Sequence, residues 1–354
     1  MSLQYEHIVR LGFEAARQLP DRNHPDNGLR HAGHSFALTV ITPMQREYGD
    51  GPRCAPSLIA LREHVCDVLR EIDYGLLNER LTEPNDVALL DWLRQRLRLD
   101  PDTVLLLCSA PRQGASTDEY LDLVWRRFRF EAAHRLPNVP EGHQCGRMHG
   151  HGFEVTVSCR LDAQDPGLLD AAICRAWTPL AAQLDHHCLN DIAGLHNPTS
   201  EVIAAWLWPQ LHALLPGLHE VAVQETDTAG CRFDGNTFRI WKDQRFESAV
   251  VLAEAEPGDP RRQLHGHSYH LRLGLSAPLD QVYGWTVDFG DVKTLFNPIY
   301  KRLDHHTLNN LPGAESGDIC ALLAMIQAQA GHLLPQLESI ELMETPEMGA
   351  RVRW

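Results

Sequence analysis

The sequence predicts an α+β protein built from three tandem copies of one ββααββ unit. LDHHCLND begins at Leu184 and LDHHTLNN at Leu303, which is 119 residues later. HGH at 149–151 returns at 265–267, and VAVQET returns as IELMET at almost the same interval. Ordered motifs that recur at one spacing indicate a repeat.

A degenerate first copy precedes these two. LGFEAARQLP, which starts at Leu11, matches FRFEAAHRLP from Phe128, and IDYGLLN stands where LDHHCLN is expected. A third of the 354 residues is 118, which is close to the spacing of the motifs. We therefore predict units over 1–118, 119–243 and 244–354, the first degenerate and the third partly so.

Local patterns assign the same elements to each copy. In copy two, alternating residues in RFRFEAAHRL and HGFEVTVSCRL predict two strands, and VAVQET predicts a later one. Two helical patterns lie between them, and the second opens near Pro198 with Thr199 or Ser200 as its cap. The stretch Ser109–Glu119 indicates a linker between copies one and two, whereas no flexible spacer separates copies two and three.

Composition narrows the function classes. Asp and Glu number 47 against 32 Lys and Arg, and the net charge of −15 argues against nucleic-acid binding. No apolar run approaches the roughly 18–20 residues of a membrane helix, and the first residues do not resemble a secretory signal. Nine scattered cysteines without a CxxC pair indicate reduced thiols. We expect a cytoplasmic protein that contacts neither nucleic acid nor membrane.

Copy two carries three histidines with metal-ligand spacing. His149 and His151 are two residues apart on a predicted strand, so both imidazoles project from one face. His134 ends the preceding strand and reaches the same place if the two strands form a hairpin. Three imidazoles without a fourth protein ligand describe a catalytic Zn²⁺ site with an open position.

Groups able to move protons lie near these histidines. Cys145 precedes His149 by four residues, and a nearby cation lowers the pKa of a thiol so that the thiolate can act as a base. Cys145 as a fourth ligand, in a closed structural site, is the alternative. Asp185 and His186 pair a carboxylate with an imidazole, and Glu225 can accept two hydrogen bonds from an amidine-like ligand edge.

These motifs resemble those of a known family, the 6-pyruvoyl-tetrahydropterin synthases. The residues that carry the resemblance are FEAAHRLPNVPEGHQCGRMHGHGFEVTV, LDHHCLND, NPTSEVIAAWLW and VQETDTAGCRF. The short Cys-x₃-His-x-His spacing is most similar to the bacterial queuosine-pathway branch, the 6-carboxy-5,6,7,8-tetrahydropterin synthases. The resemblance implies the tunnelling fold, in which antiparallel sheets close into a barrel with helices outside. One chain would supply a whole pseudo-trimer, and two chains would form a homodimer.

The resemblance also implies a reaction and roles for the matching residues. The reaction converts 7,8-dihydroneopterin triphosphate to 6-carboxytetrahydropterin, acetaldehyde and triphosphate. The implied roles are held by the zinc ligands His134, His149 and His151, the base Cys145, the proton-transferring pair Asp185–His186 and the pterin anchor Glu225. The alternatives are a 6-pyruvoyl product, cleavage of the side chain, or a non-catalytic protein that binds zinc or pterin.

Copies one and three depart from the family pattern. Copy one has other residues at the zinc histidine, cysteine, pair histidine and glutamate positions, namely Arg17, Asn27, Tyr74 and Cys108, so we expect it to be inactive. Copy three lacks the first histidine and the cysteine but keeps five motif residues, His265, His267, Asp304, His305 and Glu344.

Copy three alone has the family's Gly-Trp-x-x-Asp-Phe stretch, as GWTVDF at 284–289. Because family sites lie between subunits, we expect one working site per chain. Copy two would bring Zn²⁺ and Cys145. Copy three would lend Asp288 and Phe289, and with them either Asp304–His305 or Glu344.

Overall fold

A computed structural model describes residues 3–20, 29–44, 55–117, 120–162, 164–280 and 284–354. Asn27, which the sequence places at the cysteine position of copy one, lies outside these residues. Copy one comprises β1 (Gln4–Pro20), β2 (Leu29–Pro43), α1 (Ala55–Arg70), β3 (Gly75–Leu76), α2 (Asp86–Leu97), β4 (Val104–Ala110) and β5 (Gln113–Thr117). Copy two comprises β6 (Asp122–His134), β7 (His149–Arg160), α3 (Pro166–Leu184), β8 (His187–Cys188), α4 (Ser200–Leu214), β9 (Leu218–Thr226) and β10 (Ala229–Phe233). Copy three comprises β11 (Phe238–Val250), β12 (His265–Ser276), α5 (Phe289–Leu303), α6 (Ile319–Leu333), β13 (Leu337–Met343) and β14 (Met348–Arg353).

The chain divides into two compact units. One of them comprises Asp122–Asp243 and Gly274–Lys293. Its strands are hydrogen-bonded in the antiparallel order β6-β7-β9-β10, followed by the first residues of β11. β6 and β7 form the predicted hairpin, with His134 opposite His149. α3 packs on β6, and α4 packs on β9 and β10.

The other unit comprises Met1–Leu121, Gln244–Leu273 and Thr294–Trp354. Its antiparallel order includes β13-β14-β1-β2-β4-β5. The first strand of the chain therefore pairs with the last, which joins the sheets of copies one and three edge to edge. The α+β class and the ββααββ repeat are confirmed.

The structure tests two predictions about the segments that connect the copies. The linker predicted over Ser109–Glu119 is wrong, because β5 pairs with β4 there and buries Ala115 completely. The small residues that suggested a loop instead suit a closely paired strand. The prediction of no spacer between copies two and three is confirmed, because β11 runs unbroken from Phe238 to Val250.

The cysteines are not all reduced as expected. Cys320, in the first turn of α6, is disulfide-bonded. Seven others are free, namely Cys66, Cys108, Cys145, Cys159, Cys174, Cys188 and Cys231.

Among the described helices, none is both long and apolar enough to span a membrane.

Each copy packs one aromatic pair between its first two strands. The rings of Phe130 and Phe153 are stacked with centroids 4.9 Å apart, and both side chains are buried. The equivalent stacked pairs are Phe13 with Phe36 and Phe246 with Tyr269. This repeated pair anchors the strand ends from which the metal-ligand positions project.

Replacing Phe130 with alanine should lower the unfolding free energy by about 3–5 kcal/mol, because it leaves a cavity beneath Phe153. Urea denaturation of the wild type and the variant measures the loss. Leu214→Ala is the control, since this side chain is 61% exposed at the end of α4. Its effect should stay within about 0.5 kcal/mol. Equal losses in the two variants would contradict the assignment of Phe130 to the core.

Candidate metal centre and active site

The three predicted histidines of copy two come together. His134 is completely buried at the end of β6, and its Nε2 atom lies 3.2 Å from Nε2 of His151. One ligand atom from each of His134, His149 and His151 lies within 4.8 Å of the other two. The hairpin register explains the cluster, because His149 and His151 share one face of β7 opposite the end of β6.

Hydrogen bonds at Nδ1 fix the tautomer of each ring. The acceptors are backbone carbonyls, with Pro198 at 3.1 Å from His134, Arg147 at 2.8 Å from His149 and Gly152 at 3.2 Å from His151. A ring that donates its Nδ1–H keeps a lone pair on Nε2. Tetrahedral Zn²⁺ with Zn–N bonds of about 2.0–2.1 Å places its nitrogens roughly 3.3 Å apart. The donor set therefore fits a zinc ion.

The surroundings of the cluster are apolar on one side and acidic on the other. Phe153 contacts the rings of His134 and His151, with centroid distances of 5.3 and 4.3 Å. Burial lowers the pKa of His134 to about 4, which keeps this ligand neutral. The nearby carboxylate of Glu225 raises the pKa of His151. The carboxylate Oε1 lies 3.8 Å from Nε2 of His134 and 3.7 Å from Nε2 of His151, so Glu225 faces the metal position as well.

Cys145 lies in a short turn over Gln144–Gly146, where its thiol senses the carboxylates of Glu225 and Asp288. Its carbonyl accepts the Leu136 N–H at 2.8 Å, and its own N–H donates to Nδ1 of His143 at 3.2 Å. Among the described residues, the mutually close ligand atoms are those of the three histidines without the thiol. This arrangement favours an open coordination position over a closed Cys-His₃ site.

The protein around Cys145 disfavours its thiolate. Burial raises the pKa of the thiol, and the carboxylates of Glu225 and Asp288 raise it further. The lowering of this pKa that was expected from the sequence therefore has to come from a cation at the neighbouring histidines. Thiol chemistry and metal binding are coupled for this physical reason.

The GWTVDF stretch of copy three is bound to α4 of copy two within the same compact unit. The backbone N–H and the hydroxyl of Thr286 donate to Oε1 of Glu201 at 2.8 and 3.2 Å, and Glu201 is 1% exposed. The Thr199 hydroxyl, which also caps α4, donates to the Gly284 carbonyl. Gly284 has a φ of +71°, and an added Cβ would meet Val202 at 3.0 Å, so this position requires glycine.

This attachment places Asp288 at the Cys145 turn. Oδ2 of Asp288 lies 3.6 Å from Nε2 of His143, whose other ring nitrogen accepts the Cys145 N–H. Phe289 follows at the start of α5 and is half-buried. The placement of Asp288 agrees with the expectation that copy three contributes this residue. His143 was missed, because its only signal in the sequence is its position two residues before Cys145.

The Asp185–His186 pair lies on one edge of β6. Oδ1 of Asp185 accepts the Glu131 N–H at 2.9 Å, a bond that lowers the pKa of Asp185, and Oδ2 lies 3.0 Å from Nδ1 of His186. The His186 N–H donates to the Glu131 carbonyl at 2.6 Å, which holds His186 at a φ of 59° with its side chain 78% exposed. β8 pairs with β6 next to this point, on the edge opposite β7. Asp185 and His186 therefore lie along the edge of β6 that faces away from β7, the strand that carries His149 and His151.

The other copies repeat this arrangement. In copy three, Asp304 and His305 are bound to Glu247 of β11 in the same way, and His305 has a φ of 58°. In copy one, Tyr74 takes the place of the histidine at a φ of 54°. The positive φ at this position is thus kept in all three copies, whereas the imidazole is kept in two.

In copy one an ion pair occupies the position of the first metal ligand. Arg17 is 2% exposed, and its Nη1 atom donates to Asp86 at 2.6 Å and to the Pro84 carbonyl at 3.0 Å. Asp86 also accepts the Ser109 hydroxyl at 2.6 Å. A fixed guanidinium at the first ligand position excludes a second cation by charge and volume, which supports the expectation that copy one is inactive.

Glu344 lies within copy three, next to its own histidine. Oε1 of Glu344 is 2.9 Å from Nε2 of His267. Glu225 holds the equivalent position in copy two. The glutamate at the copy-two cluster is therefore Glu225.

Comparisons with known proteins identify the family of this chain. The sequence pattern of the family described as 6-pyruvoyl tetrahydropterin synthase matches residues 123–236 and 239–353. The chain belongs to this family. A 6-carboxy-5,6,7,8-tetrahydropterin synthase of Synechocystis sp. is 42% identical over 120 residues, which cover 31% of this chain and 92% of that protein. A dihydroneopterin monophosphate aldolase of Pyrococcus furiosus is 25% identical over 112 residues, or 31% of this chain and 95% of that one.

A similar solved structure is the 6-pyruvoyl tetrahydropterin synthase of Caenorhabditis elegans. It has a TM-score of 0.29 and 16% identity, and the match covers 32% of this chain and 92% of that chain. Each of these relatives is thus matched over about the length of one copy. Family membership makes this chain a pterin-processing protein of the lyase type, assembled from repeats of the family domain.

Replacing Glu201 with glutamine should change how stability depends on pH. Burial raises the pKa of Glu201 above 4.5, so the folded protein holds this proton where the unfolded chain has released it. The contribution of the acid is present below pH 4.5 and is lost as the pH rises through the raised pKa. We expect the unfolding free energy of Glu201→Gln, relative to the wild type, to increase as the pH rises from 4.5.

Urea denaturation at a series of pH values checks this trend. Glu63→Gln, on the exposed face of α1, is the matched control and should run parallel to the wild type. A flat difference between Glu201→Gln and the wild type would count against a buried, protonatable Glu201.

Proposed function

We propose that this chain is a zinc-dependent 6-carboxy-5,6,7,8-tetrahydropterin synthase with one complete site. The observation that carries the proposal is the cluster in copy two, where the Nε2 atoms of three histidines face one point beside Glu225. The 42% identity to a relative of that name supports the same product.

The proposed reaction takes 7,8-dihydroneopterin triphosphate and one water to 6-carboxytetrahydropterin, acetaldehyde and triphosphate. When bound, Zn²⁺ supplies a Lewis acid that polarises the side-chain oxygens and acidifies the neighbouring C–H bonds. His134, His149 and His151 hold the ion as neutral ligands. Glu225 accepts hydrogen bonds from the amidine-like edge of the pterin ring, and Cys145 removes a proton as thiolate.

An Asp–His pair moves the second proton in this proposal. Copy two's own pair lies on the edge of β6 away from β7, which separates it from His149 and His151. In the family that the sequence resembles, each site is shared between copies. We therefore assign the proton transfer to Asp304 and His305, with Asp185 and His186 as the competing pair.

Product analysis tests the function. Purified protein is incubated with 7,8-dihydroneopterin triphosphate, and the products are identified by mass spectrometry. We expect 6-carboxytetrahydropterin and acetaldehyde, and we expect Cys145→Ala to lower kcat by at least about 100-fold because it removes the base. Cys174→Ala, a half-buried cysteine on α3, should retain activity.

Other products would support one of the alternative functions. A 6-pyruvoyl product without acetaldehyde would assign the chain to the other branch of the family. A shortened side chain with a different aldehyde would indicate an aldolase activity, as in the Pyrococcus relative. Binding of zinc without any turnover would leave a non-catalytic pterin- or zinc-binding protein.

Paired variants identify the Asp–His pair that acts. Asp304→Ala/His305→Ala should lower kcat by about 100-fold or more, the range of general acid–base catalysis. Asp185→Ala/His186→Ala should leave kcat within a few fold, because this pair lies on the edge of β6 away from the strand that carries His149 and His151. The reverse ranking in steady-state kinetics would assign the role to copy two's own pair.

We further propose that two chains associate into a homodimer. The resemblance implies stacked trimers, and one chain supplies three family-like copies. Sedimentation equilibrium should then give twice the 39.9 kDa of a single chain. A mass of 39.9 kDa at all concentrations would exclude the dimer.

A further inference from the structure

We propose that copy three binds a second divalent transition-metal ion through His265, His267 and Glu344. This inference does not depend on the reaction proposed above, because it concerns a different cluster with different donor atoms. The cluster lies wholly within the compact unit that contains Gln244–Leu273 and Thr294–Trp354.

The three side chains have the geometry of a metal site. One ligand atom of each lies within 4.8 Å of the other two. Nδ1 of His265 faces the Gln263 carbonyl at 2.8 Å, which leaves the Nε2 lone pair directed into the cluster. Oε1 of Glu344 lies 2.9 Å from Nε2 of His267. Two imidazoles and one carboxylate therefore converge from two strands, β12 and the end of β13.

Unsatisfied nitrogens at the same place are an independent observation. The Nε2 atoms of His265 and His267 are buried and have no hydrogen-bond partner among the described residues. The 2.9 Å contact with Glu344 lacks the geometry of a hydrogen bond. Buried polar atoms without a partner are rare in folded proteins and require an explanation. A cation between the two nitrogens and the carboxylate satisfies all three groups at once.

The donor set differs from that of copy two in a consistent way. Val250, which is 2% exposed, replaces the first histidine of the cluster. The glutamate lies closer to its histidine, with Glu344 at 2.9 Å from His267 compared with 3.7 Å for Glu225 from His151. The lost imidazole is thus matched by a carboxylate that has moved in. Two histidines and one carboxylate with open positions suit Zn²⁺ or Fe²⁺.

The charges around this cluster permit a cation. Arg261 stands at the position of Cys145, but its guanidinium is bound to both carboxylate oxygens of Asp259. This pair carries no net charge, whereas Glu344 adds one negative charge to the cluster. The arginine also removes the thiol base, so copy three holds its metal without the chemistry of copy two.

Metal stoichiometry of the full chain tests the proposal. The protein is stripped with a chelator and equilibrated with buffered Zn²⁺, and bound metal is measured by elemental mass spectrometry. We expect two equivalents for the wild type and one for His149→Ala/His151→Ala. We also expect one for His265→Ala/His267→Ala and none for the combined variant. Circular dichroism confirms that each variant is folded.

Two further variants, made in the His149→Ala/His151→Ala background, keep the test decisive if the double alanine variant is unstable. Glu344→Gln preserves shape but removes the charge, and it should weaken Zn²⁺ binding by more than about 100-fold, the most that loss of an outer-shell partner costs. Val250→His adds back an imidazole and should tighten binding by at least about tenfold. A single equivalent in the wild type that disappears in His149→Ala/His151→Ala would overturn the proposal, as would an unchanged affinity in Glu344→Gln. These measurements report metal content and affinity rather than turnover, so their failure is distinguishable from a failure of the proposed function.

Discussion

Three imidazole lone pairs that face one point repel each other unless a cation lies between them. Much of copy two serves to hold them in that arrangement. The hairpin register sets His134 opposite His149, backbone carbonyls fix the ring tautomers, and Phe153 supports two of the rings from below. A cation at this point would also bear on the proposed role of Cys145, because burial and two carboxylates raise the pKa of its thiol.

The three copies show how one backbone carries three different charge arrangements at equivalent positions. Copy one fills the position with the buried ion pair of Arg17 and Asp86. Copy two presents three imidazoles, those of His134, His149 and His151, beside Glu225. Copy three combines two imidazoles with Glu344. The equivalent strands are kept in the three copies, whereas the charged and polar groups that they carry differ.

A segment of copy three is attached to copy two by hydrogen bonds. The GWTVDF stretch belongs to copy three by sequence, yet it is bound to Glu201 and Thr199 at the start of α4. That attachment brings Asp288 to His143, which in turn contacts the Cys145 turn. Copy two can therefore lack this stretch without losing the residues that shape its site.

The sequence by itself determined the repeat, the α+β class, the histidine cluster and the loss of ligands in copy one. These follow from motif spacing and from the two-residue period of strands, which are local properties. Only the tertiary structure decided that Glu225 faces the metal position, that Glu344 completes a separate cluster, and that Gln113–Thr117 is a strand. The Glu201–Thr286 contact joins residues 85 positions apart. Such contacts depend on how strands and helices pack, and spacing along the chain does not encode that packing.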